Sequence, residues 1–304
     1  MTCYHPIPAF RTAAGVSFSE LRRDDHIGSI EIPCGQCWGC RLRRAQDWEL
    51  RITHEAAMWP RNCFVTLTYA RDKLPPNGSL CHRDFQLFMK RLRKIGGVRV
   101  GKKVVYPVRR FYMCGEYGEE NGRPHFHACL FNVDFDDRVL AGKSRSGHDF
   151  YGSELLSRLW PYGRAMVQDL VPETASYCAR YVMKKVTGDA AELHYRRVVD
   201  GREVELIPEY NAMSLKPGVG ARWFEKYSRD VFPHDFVIQR GAERQVPKYY
   251  DKLLKRAKYA KADEVEFARQ KRASAAAPDN TSQRRAVREQ VAIARARNQL
   301  RGDV

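Results

Sequence analysis

Residues Arg110 to Phe131 read RFYMCGEYGEENGRPHFHACLF, two runs rich in apolar and aromatic residues around a short polar stretch. The first run ends at Tyr117, the second begins at Pro124, and Glu119-Glu120-Asn121-Gly122 between them has turn chemistry. The segment predicts a β-hairpin. Side chains two apart on a strand share a face, so His125 and His127 point one way and Phe126 points into a core. With the turn centred on those four residues, Glu116 falls opposite His125, and directly opposed Cβ atoms lie ~5 Å apart. Two imidazoles and a hard carboxylate on one rigid face suit Mg²⁺ or Mn²⁺, with positions left open for a substrate oxygen. A slip of one residue would turn Glu116 to the opposite face, so its membership depends on register. Taken alone, an H-x-H pair is commonly incidental.

The flanking segments alternate strand and helix signals. Cys63 to Tyr69 (CFVTLTY) predicts a strand. Phe85, Phe88, Met89, Leu92 and Ile95 mark one face of a helix closed by Gly96-Gly97. After the hairpin come a helix over Ser153–Trp160, a strand over Ala165–Val171 and a helix over Pro172–Lys185, with Gly188 just past its end. The order β-α-β-β-α-β followed by a further helix predicts an α+β fold. It matches a ferredoxin-like split βαβ core with a central antiparallel sheet.

On the last helix, Tyr177 and Tyr181 are four apart and share a face, and Lys184 and Lys185 follow on or beside it. A tyrosine hydroxyl has a free pKa of ~10, so as a nucleophile it needs help to lose its proton. Nearby cations and a metal-polarised phosphodiester supply such help. In isolation, the same spacing commonly marks tyrosines that pack on a sheet.

Composition divides the chain into residues 1–60, 61–240 and 241–304. The first region carries Cys34, Cys37 and Cys40 and then a helix whose face is Leu42, Ala45, Trp48, Ile52, Ala56 and Trp59. C-x₂-C-x₂-C without a cysteine at position 44, which is Arg44, disfavours a ferredoxin-type cluster. Structural Zn²⁺ fits better and needs a fourth ligand. Cys3 is the first choice, with His5, Cys63 and Cys81 as alternatives; the bland reading is free thiols in a loop. The last region holds 16 Lys and Arg against 8 Asp and Glu. It predicts helices over Lys248–Arg272 and Thr281–Leu300, separated by Ala277–Asn280. This is either a solvated tail or a phosphate-contacting arm, with Arg284, Arg285 and Arg288 as candidate nucleic-acid contacts.

The 304 residues are 43% hydrophobic and 29% charged, enough for a core in a soluble protein. Lys and Arg outnumber Asp and Glu by 53 to 36, a formal +17 that points to a polyanionic partner. Anionic membrane is the weaker reading, because the basic residues are spread along the chain and no lipidation signal is present. No apolar run approaches the ~18 residues of a membrane span. Met1 to Phe10 has no apolar signal region, so the protein is expected to stay where it is made. Nine cysteines fit a reducing cytosol with metal binding. No P-loop or dinucleotide fingerprint is visible.

A histidine pair on a strand, followed by a helix with two tyrosines, resembles the HUH endonucleases. In these, two histidines around a hydrophobic residue bind metal and a tyrosine on a later helix attacks DNA. Cys34–Cys40, Phe64–Tyr69, Asp84–Leu92, Gly115–Gly118, Arg123–His127, Ala179–Lys185 and Met213–Gly218 look like the gokushovirus (Microviridae) replication initiation proteins. The resemblance covers nearly the whole chain, with the tail least diagnostic. It implies an HUH endonuclease fold, metal ligation by His125 and His127, and nucleophilic roles for Tyr177 and Tyr181. Arg180, a further candidate nucleic-acid contact, stands where many such initiators carry lysine. The implied activity is a strand-specific nick at the origin of a circular viral DNA, with a 5′-phosphotyrosine link and a free 3′-OH for host replication machinery. The implied place is the cytoplasm of a bacterial host. A non-catalytic single-strand binder with a zinc module, or an HUH transposase, is the alternative.

Overall fold

The computed structural model describes residues 3–19, 25–119, 121–144, 147–180, 185–186, 188–199, 201–232, 234–257 and 262–302. They pack as two compact units, Met1–Arg44 with Ala260–Val304, and Ala45–Tyr259.

The chain begins with β1 (Ile7–Thr12), β2 (Gly15–Ser17), β3 (His26–Ile32) and α1 (Trp38–Ala56). Next come β4 (Asn62–Thr68), α2 (His82–Arg93), β5 (Val98–Val100), β6 (Lys103–Val105), β7 (Arg110–Tyr117) and β8 (Pro124–Phe131). They lead to β9 (Val139–Lys143), β10 (Asp149–Gly152), α3 (Glu154–Leu159), β11 (Ala165–Asp169) and α4 (Pro172–Arg180). The following stretch holds α5 (Asp189–His194), β12 (Arg196–Val199), β13 (Arg202–Glu205) and β14 (Tyr210–Met213). It closes with α6 (Ala221–Val231), β15 (Phe236–Gln239), β16 (Ala242–Gln245), α7 (Lys248–Arg256), α8 (Ala262–Ala275) and α9 (Ser282–Gly302).

The larger unit is built on a seven-stranded sheet of order β14-β7-β8-β4-β11-β10-β9, antiparallel at every pairing. The fold is thus α+β with a large antiparallel sheet. Helices cover both faces of its centre. On one face Val65, Leu67, Met113, Phe126, Ala128, Leu130 and Val167 pack against Phe85, Phe88, Met89 and Leu92 of α2 and Leu156 and Leu159 of α3. On the other, Phe64, Tyr112, Cys114, Cys129 and Phe131 meet Ile52 of α1 and Ala175, Cys178 and Ala179 of α4. Burial on both faces explains why HFHACLF has no simple polar alternation. Local chemistry sets the helix ends: Ser153 Oγ accepts from Leu156 N at 3.0 Å, and Asp137 accepts from Leu155 N at 2.8 Å.

Beneath α1, the fully buried Glu55 accepts from Arg110 Nε at 2.6 Å, Gly220 N at 2.7 Å and Trp59 Nε1 at 3.0 Å. A buried carboxylate survives only with partners of this number and charge.

The smaller unit holds the sheet β2-β1-β3, the cysteine cluster, α8 and α9. The basic C-terminal stretch is not one solvated tail. Arg285 is buried in a paired contact with Glu31, and Glu289 lies 2.6 Å from His5 Nε2. The helix expected over Lys248–Arg272 is instead α7 and α8, with residues 258–261 outside the described part.

Candidate active site and metal-binding clusters

The hairpin has the register that the turn implied: Glu116 pairs with His125, Cys114 with His127, and Tyr117 with Pro124. Strand alternation then sends Phe126 into the α2 core and both histidines to the α4 face. There the three candidate ligands converge. Glu116 Oε1 lies 2.6 Å from His125 Nε2 and 2.9 Å from His127 Nε2, and their ligand atoms all fall within 4.8 Å of one another.

The rings are held from behind. His125 Nδ1 is 3.1 Å from the Arg123 carbonyl, which only accepts, so Nδ1 carries the proton. In the neutral ring its Nε2 is then a lone pair facing a carboxylate oxygen. His127 Nδ1 is 3.0 Å from Thr66 Oγ1 on β4, the residue paired with it across the sheet. Glu116 Oε2 is buried with no hydrogen-bond partner among the described residues. Burial pushes the Glu116 carboxyl up, but hydrogen bonds and charge from His125 and His127 together hold it below its ordinary value. Acceptors crowded face to face, with an orphaned oxygen beside them, fit a divalent cation.

Helix α4 brings Tyr177 to this cluster. Thr174, Ala175, Cys178 and Ala179 are its buried side chains. Cys178 donates to the His127 carbonyl at 3.8 Å, and its Sγ is 3.6 Å from Cys114 Sγ. These small groups let the helix lie close to β7 and β8. The neighbouring Tyr177 therefore sets its ring edge-on to His127, with centroids 5.1 Å apart, and stays 48% exposed. It also stands edge-on to Phe64 at 6.2 Å.

Arg180 is exposed in the last turn of α4, and Lys185 is exposed beyond it. Tyr181 and Lys184 lie outside the described residues. Arg284 pairs with Asp279 at 2.8 Å, and Arg288 donates to the Asp279 carbonyl at 2.8 Å and lies 3.4 Å from its carboxylate. With Arg285 on Glu31, all three tail arginines are engaged inside their own unit. Thr66 was not singled out in the sequence, where its only signal is a polar residue inside an apolar strand.

In the smaller unit Cys3, Cys34, Cys37 and Cys40 bring their sulfurs within 4.8 Å of one another. Of the candidates for fourth ligand, Cys3 is the one at the cluster: His5 turns to Glu289, while Cys63 is buried in the sheet core. Cys81 precedes α2. Burial raises the Cys37 thiol, but N–H donors at Tyr4 and Cys40 and hydrogen bonds from neighbouring thiols bring it down to about 6. Burial, aided by Cys3 and Cys37, pushes Cys40 up to about 12. Four sulfurs sharing one pocket, one of them readily a thiolate, fit a tetrahedral soft cation.

Comparison with known proteins gives this geometry a family. Residues 62–186, from β4 to just past α4, match the family model of the phage replication-associated protein ORF2. Over 258 residues the chain is 31% identical to the replication-associated protein VP4 of Bdellovibrio phage phiMH2K, covering 84% of this chain and 78% of that one. The chain belongs to the phage replication-associated proteins. It is also 30% identical over 278 residues to the replication-associated protein ORF2 of Spiroplasma virus 4, covering 84% and 81% of the two chains. Chlamydia phage 1 supplies a further relative, its replication-associated protein ORF4, 29% identical over 234 residues, or 75% of this chain and 54% of that one. These are Microviridae phages, so the resemblance read from the motifs is borne out and this replication-associated protein is a Microviridae replication initiator. No solved structure matches the chain. Among its described residues, no helix is long and apolar enough to cross a membrane.

Proposed function

We propose that this replication-associated protein is an HUH endonuclease that nicks one strand of a circular origin through a tyrosine nucleophile. One observation carries the reading: the Tyr177 ring stands 5.1 Å from that of His127, whose Nε2 converges with that of His125 on Glu116. The strand order supports the fold half of the reading. β4 and β7, joined through α2, flank β8, while β8 and β11, joined through α3, flank β4. Two interlocked split βαβ units of this kind make a ferredoxin-like core.

Glu116, His125 and His127 would hold Mg²⁺ or Mn²⁺, which when bound polarises a phosphodiester oxygen and stabilises charge on it. Tyr177 or Tyr181 attacks phosphorus through its phenolate oxygen. The new bond is Tyr O–P, the bond to the 3′ oxygen breaks, and that oxygen leaves to take up a proton. Lys184, Lys185 and Arg180 supply positive charge near the phenol and the phosphate. The 5′-phosphotyrosine keeps the energy of the phosphodiester, so a later attack by the 3′-OH can close the circle without a nucleotide. Host polymerase extends the free 3′ end meanwhile, in the cytoplasm of the bacterial host. The four cysteines hold a structural Zn²⁺.

Supercoiled plasmid carrying the phage origin, incubated with the protein and Mg²⁺ or Mn²⁺, tests the reading. The expected product is relaxed DNA with covalently attached protein. DNA binding with no nick under either ion would leave a non-catalytic single-strand binder instead.

A further inference from the structure

The hairpin β5–β6 belongs to neither core of the larger unit and takes no part in the metal cluster. Between Phe85 and Gly115 the sequence has nine Lys and Arg and no Asp or Glu. Arg109 and Arg110 of this run turn inward: Arg110 pairs with Glu55, and Arg109 donates to the carbonyls of Leu92 and, at 2.7 Å, Ile95 at the end of α2. The hairpin turns its own cations outward. Arg99, Lys102 and Lys103 are exposed, and among the described residues no carboxylate pairs with them.

Its apolar side chains are equally uncovered. Val98, Val100, Val104 and Val105 are between 47% and 65% exposed. Val98 pairs with Val105 and Val100 with Lys103, so valine and lysine share one face, while Arg99 and Val104 share the other. The turn is two residues, with Gly101 at φ +60° and Lys102 beside it. The base is tight. A Cβ on Gly97 would lie 2.5 Å from the Tyr106 ring and 2.7 Å from Val104. With Arg109 locking the preceding helix end, the ribbon is held ready rather than left to be ordered on binding.

We propose that β5–β6 is a ribbon that seats in the major groove of double-stranded DNA beside the strand to be cut. The proposal rests on the reading of this chain as an origin nickase only in taking DNA as the partner. The major groove admits a two-stranded β-ribbon, and valine methyls meet the thymine methyl there. Cations on both faces reach phosphates on either side. Single-strand platforms use stacked aromatic rings, and VRV and KVV have none.

The test compares the full chain with a variant carrying Arg99→Gln, Lys102→Gln and Lys103→Gln. Each is titrated with a mixed-sequence duplex and with one of its single strands across a salt series. Duplex affinity should fall at least tenfold for the variant. Its log–log salt slope should flatten by about 2 to 3, at about 0.9 per lost phosphate contact. Single-strand affinity and melting temperature should stay within twofold and a degree or so of wild type. A second variant, Val98→Ser with Val105→Ser, should lose duplex affinity with an unchanged salt slope. An unchanged duplex slope in the first variant, or an equal loss on the single strand, overturns the proposal. So does a shift from dimer to monomer in sedimentation without change in duplex binding, which would make the ribbon a contact with a second copy. If the wild-type chain binds duplex and single strand not at all, the nickase reading fails as well.

Discussion

The ring of Tyr177 meets the ring of His127 edge-on, with their planes at 88°. The contact places a solvent-accessible phenol next to a buried imidazole whose other edge belongs to the carboxylate cluster. Phenol and cation site are therefore neighbours through one side chain, and removing the hydroxyl leaves the ring packing intact.

For that reason Tyr177→Phe is expected to fold and melt as wild type. Alone it should leave some cleavage through Tyr181 but impair the coupled rejoining step. With Tyr181→Phe added, the covalent protein–DNA adduct should vanish while DNA binding largely survives. An adduct at wild-type level in the double variant, seen on denaturing gels, would refute tyrosine chemistry at these positions.

Thr66 touches no proposed ligand but His127, at Nδ1. Thr66→Val keeps the shape and removes the hydroxyl that orients the ring, so Mn²⁺ affinity should drop about 10- to 100-fold. Thr66→Ser should restore it. Calorimetric titration of Mn²⁺ into DNA-free protein measures both, and equal affinities for the valine and threonine forms would exclude the orienting role.

The cysteine cluster should carry about one zinc per chain, because four thiol ligands make a closed structural site. Cys37→Ser should lose the metal together with stability, and a strong chelator should lower the melting temperature of the wild type. Elemental analysis decides; iron absorbance, or a stable metal-free protein that cuts normally, would falsify the assignment.

His54 sets a pH dependence in the larger unit. It stacks on Trp223 at 3.6 Å and meets the Tyr250 hydroxyl at 2.8 Å, and burial holds its imidazole down at about 3 from an ordinary 6.5. The folded state keeps the ring neutral while the unfolded chain takes up a proton below 6.5. Its stabilisation is thus complete above 6.5 and is lost as pH falls from there toward 3, by about 1.4 kcal/mol per pH unit. Urea unfolding at pH 7 and pH 5 should differ by about 2 kcal/mol from this group. In His54→Phe the difference should shrink by about that amount; an undiminished slope would place the dependence elsewhere.

Much of the site was legible because its rules are local. The H-x-H spacing, the intervening turn and the period of a strand put His125, His127 and Glu116 on one face, and the observed register agrees. The strand and helix order over 61–180 was likewise written in periodicity and breakers. The outer strands β9, β10 and β14 were not, since they are short and pair far along the chain, as Tyr210 does with Gly115. Nor was β5–β6, whose valines have no core to face.

What the sequence by itself determined is the chemistry on offer: a strand bearing two imidazoles, a helix bearing phenols, four thiols and an excess of cations. Tertiary structure alone decided the meetings. Cys3 comes to a cluster that begins at Cys34, where the Cys34 N–H donates to its sulfur at 3.3 Å. Arg285 leaves solvent for Glu31, although nothing in either segment names the other. Tyr177 reaches His127 because Cys178 and Ala179 are small enough to let α4 press against the sheet. Neighbours along the chain are constrained by bond geometry, which a sequence displays. Contacts between distant segments are chosen by how whole surfaces bury and pair, and that choice exists only once the chain has folded.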